Sequence, residues 1–352
     1  MTADVGKIRH YDSVDGLKAY ASVGIVIMHV LINGQYELDG FVFRRLIPEF
    51  TDLVFLFMMV SGFSLCCGYF DKMVSGQVTP AQFYSRRISR IWPFFAFVTV
   101  LDLIVSPSIE AVYEAFANLT LCFALLPNPQ ISVIGVGWTV GVIFVFYLIF
   151  PFFCYLLSNP KRAWLSFGTA FVFHLLCIGY FLDENHMPPL FSGRVNIIYC
   201  FVYFMAGGMI FLYREKLASA ACRFRYLIPV LLLVAGAVFF LLDGMMPAVL
   251  LLFSLMLIGA LSCSSRKGVL NNPVTAFLSR YSMEIYLCHM MVFRILEKLH
   301  LTEISSLPIL DYIITVTMIL LGAIAVAAAF HWAMPVLTHW LKRFWKAGGE
   351  HV

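Results

Sequence analysis

Charge is what this chain has least of. Asp, Glu, Lys and Arg make up 12% of its 352 residues, against about 25% in an ordinary soluble domain. With 61% hydrophobic residues and a mean hydropathy of +0.87, the composition excludes a soluble globular chain and indicates a membrane protein. The chain has no basic tract of the kind that grips nucleic acid, no low-complexity segment and no soluble insertion between its hydrophobic runs. No internal repeat is clear enough to suggest inverted symmetry. Nine cysteines are present, but Cys66 and Cys67 are adjacent and the others scattered, so metal-ligand spacing is absent and buried free thiols are expected. The first hydrophobic segment has no small-residue cleavage site behind it, and a cleaved signal peptide is not expected.

What the chain does have is long apolar runs. Those long enough to cross a bilayer lie at about 14–34, 50–70, 90–106, 135–157, 164–182, 194–213, 226–242, 247–264, 275–297 and 308–337. Only helices or closed barrels satisfy their backbone groups in lipid. The expected fold is therefore all-α, a polytopic bundle of about ten transmembrane helices. It forms a single domain over 1–346 with a short cytoplasmic tail at 347–352. The partly apolar stretch Pro107 to Ile134 is too short for a span and reads as an interfacial or re-entrant piece.

Lys and Arg set the orientation. With the N-terminus inside, only Arg44, Arg45, Arg194, Arg294 and Lys298 fall outside, five of the 24 basic residues. The bias alternates loop by loop, so both termini are expected in the cytoplasm.

The first run, VDGLKAYASVGIVIMHVLIN, carries Lys18 and His29. Ionisable groups inside a membrane helix are costly and face a protein interior or a wet cavity. Eleven residues are close to three helical turns, so the two share a face about 16.5 Å apart along the axis and read as stations on one channel. Taken singly, Lys18 is a snorkelling lysine and His29 a satisfied bundle histidine. As a pair, Lys18 suits a phosphate-bearing ligand at the cytoplasmic mouth, and a neutral imidazole at His29 suits a general base.

Arg86, Arg87 and Arg90 cluster at the start of the third run. They read either as positive-inside anchors or as a phosphate clamp. Ser61-Gly62 permits close helix contact or a local break, and Trp138 opens the fourth run as an aromatic-belt residue would. Ser282, Tyr286 and His289 follow i, i+4, i+7 spacing on one stripe, with the intramembrane Glu284 a little off it. Asp52 and Asp102, at run ends, and Glu284 are the carboxylates open to orienting His29. Asn118-Leu119-Thr120 fits a glycosylation sequon, a weak signal.

Together these residues resemble the integral-membrane acyltransferase family 3, mostly bacterial enzymes that O-acylate carbohydrates. Lys18 and His29 are similar to its basic-x10-His signature, after Asp15-Gly16-Leu17. Phe55 to Phe63 resembles its FFxxSGF stretch, and Arg86 to Pro93 its RRxxRIxP element. Trp138 with Phe146, Tyr147 and Pro151 resembles its mid-chain aromatic span, and Ser282 to His289 its late SYxxYLxH element. Two departures stand out: Lys18 replaces a common arginine, and Ile143 stands where many members carry a glutamate.

The resemblance implies an O-acyltransferase, most simply an O-acetyltransferase, in a bacterial plasma membrane. Its donor would be acyl-CoA (acetyl-CoA), a co-substrate rather than a bound cofactor, and its acceptor a carbohydrate or lipid-linked glycan. Lys18, Arg86, Arg87 and Arg90 would hold the donor, and His29 would take the acceptor proton. Ser282, Tyr286 or His289 would serve the oxyanion or orient the base, with Trp138 in support. The alternative is a transporter or flippase for a small solute or lipid-linked sugar without acyl chemistry. That reading expects paired Gly/Pro-broken helices in two matching halves, which the sequence does not show.

Overall fold

The computed structural model describes residues 10–121, 123–125, 131–182, 185–186, 193–241, 246–263 and 267–348, with the backbone alone from 336 onward. The described residues are mostly helical, with no strand among them. In chain order the helices are α1 (Asp12–Asn33), α2 (Leu53–Val74), α3 (Pro80–Val105), α4 (Ile109–Thr120), α5 (Trp138–Leu157), α6 (Pro160–Leu176), α7 (Ile197–Leu212), α8 (Arg214–Arg223), α9 (Leu227–Leu241), α10 (Met246–Cys263), α11 (Pro273–Arg280), α12 (Ser282–Lys298) and α13 (Pro308–Gly348). Each predicted apolar run coincides with one of these, except that 275–297 breaks at Tyr281 into α11 and α12.

Six stretches are long and apolar enough to cross a membrane by themselves, namely Asp12–Asn33, Val42–Val74, Pro80–Val105, Gly135–Leu157, Pro160–Phe181 and Pro308–Pro335. The pair α7–α8, bent by 78°, makes up to seven, and α9 and α10 are shorter apolar helices. The protein is thus a multi-pass membrane protein. The tail expected at 347–352 begins inside α13, and from 349 on it lies outside the described residues, as does Cys122. Seven cysteines (66, 67, 154, 177, 200, 222 and 288) are free thiols; against the expectation of burial, Cys67 is half-buried and Cys222 exposed.

Helix starts follow local chemistry. Thr79 accepts from the Gln82 N–H and Gln82 reciprocates, with Pro80 at the first helical position of α3. Asn272 and Thr275 form the same box at α11, with Pro273 behind the cap. That box sets the start of α11, whereas the run divides at Tyr281, where α12 begins without a side-chain cap. Helix α4 occupies the stretch taken as interfacial: Ile109, Val112, Tyr113 and Phe116 are exposed on one face, while Ala111, Ala115 and Asn118 are buried on the other. Twelve residues cannot cross a bilayer, and an apolar stripe opposite a packed one suits the membrane boundary.

Helix α1 is central and packs against α2, α10, α11, α12 and α13. Helices α2 and α7 form the closest pair. A Cβ at Gly62 would collide with the Phe204 carbonyl, and one at Gly207 with the Met59 carbonyl. The Ser-Gly pair is therefore a contact surface and not a helix break. Around the seam Phe55 stacks on Tyr203 at 4.6 Å and Phe146 on Phe204 at 3.9 Å. Gly207→Ala is expected to lower stability by about 1–3 kcal/mol through overpacking. Gly168→Ala, where a Cβ meets open space, is expected to cost nothing. Thermal melts of the two detergent-solubilised variants test the seam, and equal melting temperatures would refute it.

Candidate active site

Helices α1, α3 and α12 bring their N-terminal halves to one end of the bundle, where α2 contributes its C-terminal half. A cavity of about 450 Å³ opens there. Lys18, Lys72, Arg86, Arg87 and Arg90 line it, together with Tyr69, Thr139, Ile143, Tyr147, Ser282 and Tyr286. No carboxylate is among its lining residues. Lys18 Nζ lies 2.8 Å from Asp15 Oδ1, and Asp15 Oδ2 lies 2.9 Å from His10 Nε2. Arg87 donates to the Tyr69 hydroxyl at 2.7 Å and sits 4.7 Å from that ring's centroid. The guanidinium groups of Arg86 and Arg90 are exposed and have no ion pair among the described residues. Cations gathered without counter-charges make a site for a polyanion.

A second cavity, about 520 Å³, opens toward the other end. His29, Asn33, Ser132, Trp138, Arg194 and Arg294 line it, with Met28, Met290 and Phe123 as its apolar wall. Val54 and Tyr286 line both cavities and form the partition between them. The single channel expected from the Lys18–His29 stripe is therefore two chambers back to back.

Two ion pairs brace the His29 chamber. Arg194 reaches Asp52 Oδ1 at 2.6 Å and donates to the Thr51 hydroxyl at 3.0 Å and the Thr51 carbonyl at 3.1 Å. Arg294 reaches Asp102 Oδ1 at 3.1 Å. Asp102 Oδ2 also accepts from the Ile134 N–H at 2.9 Å. Ile134 has φ +50°, a left-handed conformation that a β-branched residue avoids. The surrounding turn is pinned at nearly every polar group. Glu114 Oε2 accepts from the Ser132 N–H and hydroxyl and from the Val133 N–H. Asn118 Nδ2 donates to the Val133 carbonyl at 2.8 Å, and the Tyr286 hydroxyl donates to the Val136 carbonyl at 2.9 Å. Buried and committed in this way, Asn118 is a structural residue and not a glycosylation acceptor.

On α12 the predicted stripe holds. Ser282 faces the cationic chamber, Tyr286 the partition, and His289 meets His29 with ring centroids 5.1 Å apart and planes tilted by 47°. Two expectations are corrected. Ser282 is about 10.5 Å along the helix from His289 and lines the cationic chamber with Lys18, so it does not orient His29. None of the three candidate carboxylates orients His29 either. Asp52 holds Arg194, Asp102 holds Arg294, and Glu284 Oε1 lies 3.1 Å from His331 Nε2. Ile143 lies on the cationic wall, so that position does not supply the missing group. Trp138 does line the His29 chamber, as a supporting residue should.

Sequence reasoning had Arg194 and Arg294 only as outside charges, and it missed Thr51, Tyr69 and the 131–137 turn. Their partners lie 142 and 192 positions away, and nothing local signals such pairs.

Two chambers meeting at a thin partition, one cationic and one carrying paired histidines, suit an enzyme that joins reactants arriving from two sides. A family model described as an acyltransferase domain matches residues 11–332. The chain belongs to acyltransferase family 3. No curated protein and no solved structure matches it. As a member of acyltransferase family 3 it is a membrane acyltransferase, which needs an acyl donor and an acceptor.

Asp102→Asn is expected to lower stability by roughly 1–3 kcal/mol, because the partly buried Arg294 loses its counter-charge and the amide NH2 that replaces one carboxylate oxygen faces another donor, Arg294 or the Ile134 N–H. Proteases should then cut the 131–137 turn faster. Unchanged melting and unchanged cleavage together would show that the turn is held by something else.

Proposed function

We propose that this acyltransferase moves an acyl group, in the simplest case acetyl, from acyl-CoA to a hydroxyl of a cell-envelope or secreted carbohydrate or lipid-linked glycan. His29 is the general base. The observation that carries the proposal is the cation-only chamber set directly behind the His29 chamber. Coenzyme A brings phosphate groups on a long, thin arm. Arg86 and Arg90, unpaired, with Arg87, Lys18 and Lys72, offer those phosphates charge-assisted hydrogen bonds. The arm then has Tyr286 and Val54 to pass before its thioester reaches His29. The opposite chamber offers a sugar the Trp138 ring and the polar side chains of Asn33, Ser132 and Arg294.

The reading includes about ten spans, with both termini and the cationic chamber on the cytoplasmic side of a bacterial plasma membrane, where acyl-CoA is available. The positive-inside bias supports it. The acceptor chamber then opens outward. Acyl-CoA acts as a co-substrate and is released as CoA.

His29→Ala is expected to abolish label transfer from radiolabelled acetyl-CoA to alkali-labile esters in membranes while the protein still inserts and melts normally. General-base help is worth about 10² to 10⁴ in rate. A His29→Ala enzyme as fast as wild type would refute the mechanism. Arg86→Ala with Arg90→Ala should weaken acetyl-CoA binding about a hundredfold, two charge-assisted contacts at roughly 1.4 kcal/mol or more each. Isothermal titration in nanodiscs reads this directly, and an unchanged Kd would remove the clamp.

A further inference from the structure

The base reading leaves His29 without the orienting group that a catalytic imidazole needs. The three acids that could have served are spent on Arg194, Arg294 and His331. One polar atom near His29 is not spent. His289 is fully buried, and its Nε2 has no partner. An unmet buried acceptor costs about 1–3 kcal/mol. His174 Nε2 is left in the same way, but His289 stands with its ring centroid 5.1 Å from that of His29.

We propose that His289 is the positioning residue for His29, its Nε2 accepting an N–H from the His29 ring where other sites use a carboxylate. This rests on His29 being the base. Two observations support it, the first giving the direction of the bond and the second its reach. First, His289 Nδ1 lies 2.7 Å from the Tyr286 carbonyl oxygen. A carbonyl only accepts, so Nδ1 carries the proton and Nε2 the lone pair. Second, imidazoles joined by an N–H···N bond have centroids about 5 Å apart, and these two stand at 5.1 Å. His29 lines the open chamber and is only partly buried, so its ring has room to turn, whereas His289 is held. Catalytic hydrogen bonds commonly tighten only when substrate is present.

With one His29 nitrogen protonated and committed to His289, the other presents its lone pair to the chamber. There it takes the proton of the acceptor hydroxyl as that oxygen bonds to the thioester carbonyl carbon. The tetrahedral intermediate collapses, the carbon–sulfur bond breaks, and the departing CoA thiolate takes the proton back from the His29 imidazolium. The products are the O-acyl ester and CoA thiol. His29 ends as it began, and His289 neither gains nor loses a proton.

Three variants in nanodiscs test the assignment: His289→Leu, His289→Gln and His289→Asn. The readouts are kcat for label transfer from radiolabelled acetyl-CoA, Kd for acetyl-CoA, and melting temperature. His289→Leu should lose about a hundredfold in kcat with the Kd unchanged, because the donor chamber is untouched. Gln places an amide near the position of Nε2, whereas Asn reaches only as far as Nδ1. His289→Gln should therefore run at least tenfold faster than His289→Asn. A purely structural role predicts that Gln and Asn differ in melting temperature and not in kcat. The inference is overturned if His289→Leu matches wild type, or if Gln and Asn give equal kcat. The second comparison stands even if the Leu variant does not fold. Full activity in His29→Ala would overturn the base reading itself. An inactive His29→Ala beside a fast His289→Leu would overturn the present inference alone.

Discussion

A charge withdrawn from water inside an apolar bundle has to meet its counter-charge within the protein. That constraint shapes the architecture here. Asp52–Arg194 ties α2 to the segment leading into α7, Asp102–Arg294 ties α3 to α12, and Glu284–His331 ties α12 to α13. Each pair joins elements remote in sequence and leaves none of the three acids free. Among the described residues, Arg86 and Arg90 have no ion pair at the cationic chamber, and His289 Nε2 is one of six buried side-chain polar atoms without a partner, set beside the other chamber.

One of these pairs, Asp102–Arg294, also helps to hold a strained turn. An isoleucine in the left-handed region costs about 1–3 kcal/mol and persists only where its surroundings over-determine it. Asp102, Glu114, Asn118 and Tyr286 supply that surrounding from three helices. The return is placement. The turn forms part of the His29 chamber, delivers Trp138 to it at the start of α5, and offers Tyr286 a carbonyl that fixes its hydroxyl at the partition. One network therefore sets the wall, the roof and the divider of the site.

How much of this could be read from the chain follows from the range of each interaction. Periodicity is local, so the helices were legible, and so were the Lys18–His29 face and the Ser282–Tyr286–His289 stripe. Capping is local too, and the Asn272–Thr275 box that starts α11 lay open in the sequence, whereas the break between α11 and α12 at Tyr281 has no capping side chain to signal it. Charge pairing is not local. A single sequence says that Asp52 and Asp102 sit at run ends, but not that arginines 142 and 192 residues away will claim them. The left-handed Ile134 goes against its own propensity and is set wholly by tertiary contacts. Helical spacing placed Lys18 and His29 on one stripe, yet the division of that stripe depends on Tyr286 and Val54, which arrive from α12 and α2.

That division matters for a membrane protein in particular. An unbroken polar path through the bundle would leak ions and protons, yet the reactants of an acyl transfer have to meet inside it. Here the polar path is interrupted by one layer, an aliphatic side chain and a phenol. The phenol is nearly buried and its hydroxyl is already bonded to Val136. Water following the polar side chains of either chamber meets at that level a hydroxyl whose proton is already committed. The layer is also as thin as it can be. Tyr286 borders both cavities, its carbonyl anchors His289, and His289 adjoins His29. Whatever displaces the Tyr286 ring therefore disturbs the helix turn that holds His289 beside His29. On the proposed mechanism, a seal and the residue that positions the base share one turn of α12, so a substrate arm that opens the first acts on the second without any larger movement of the bundle.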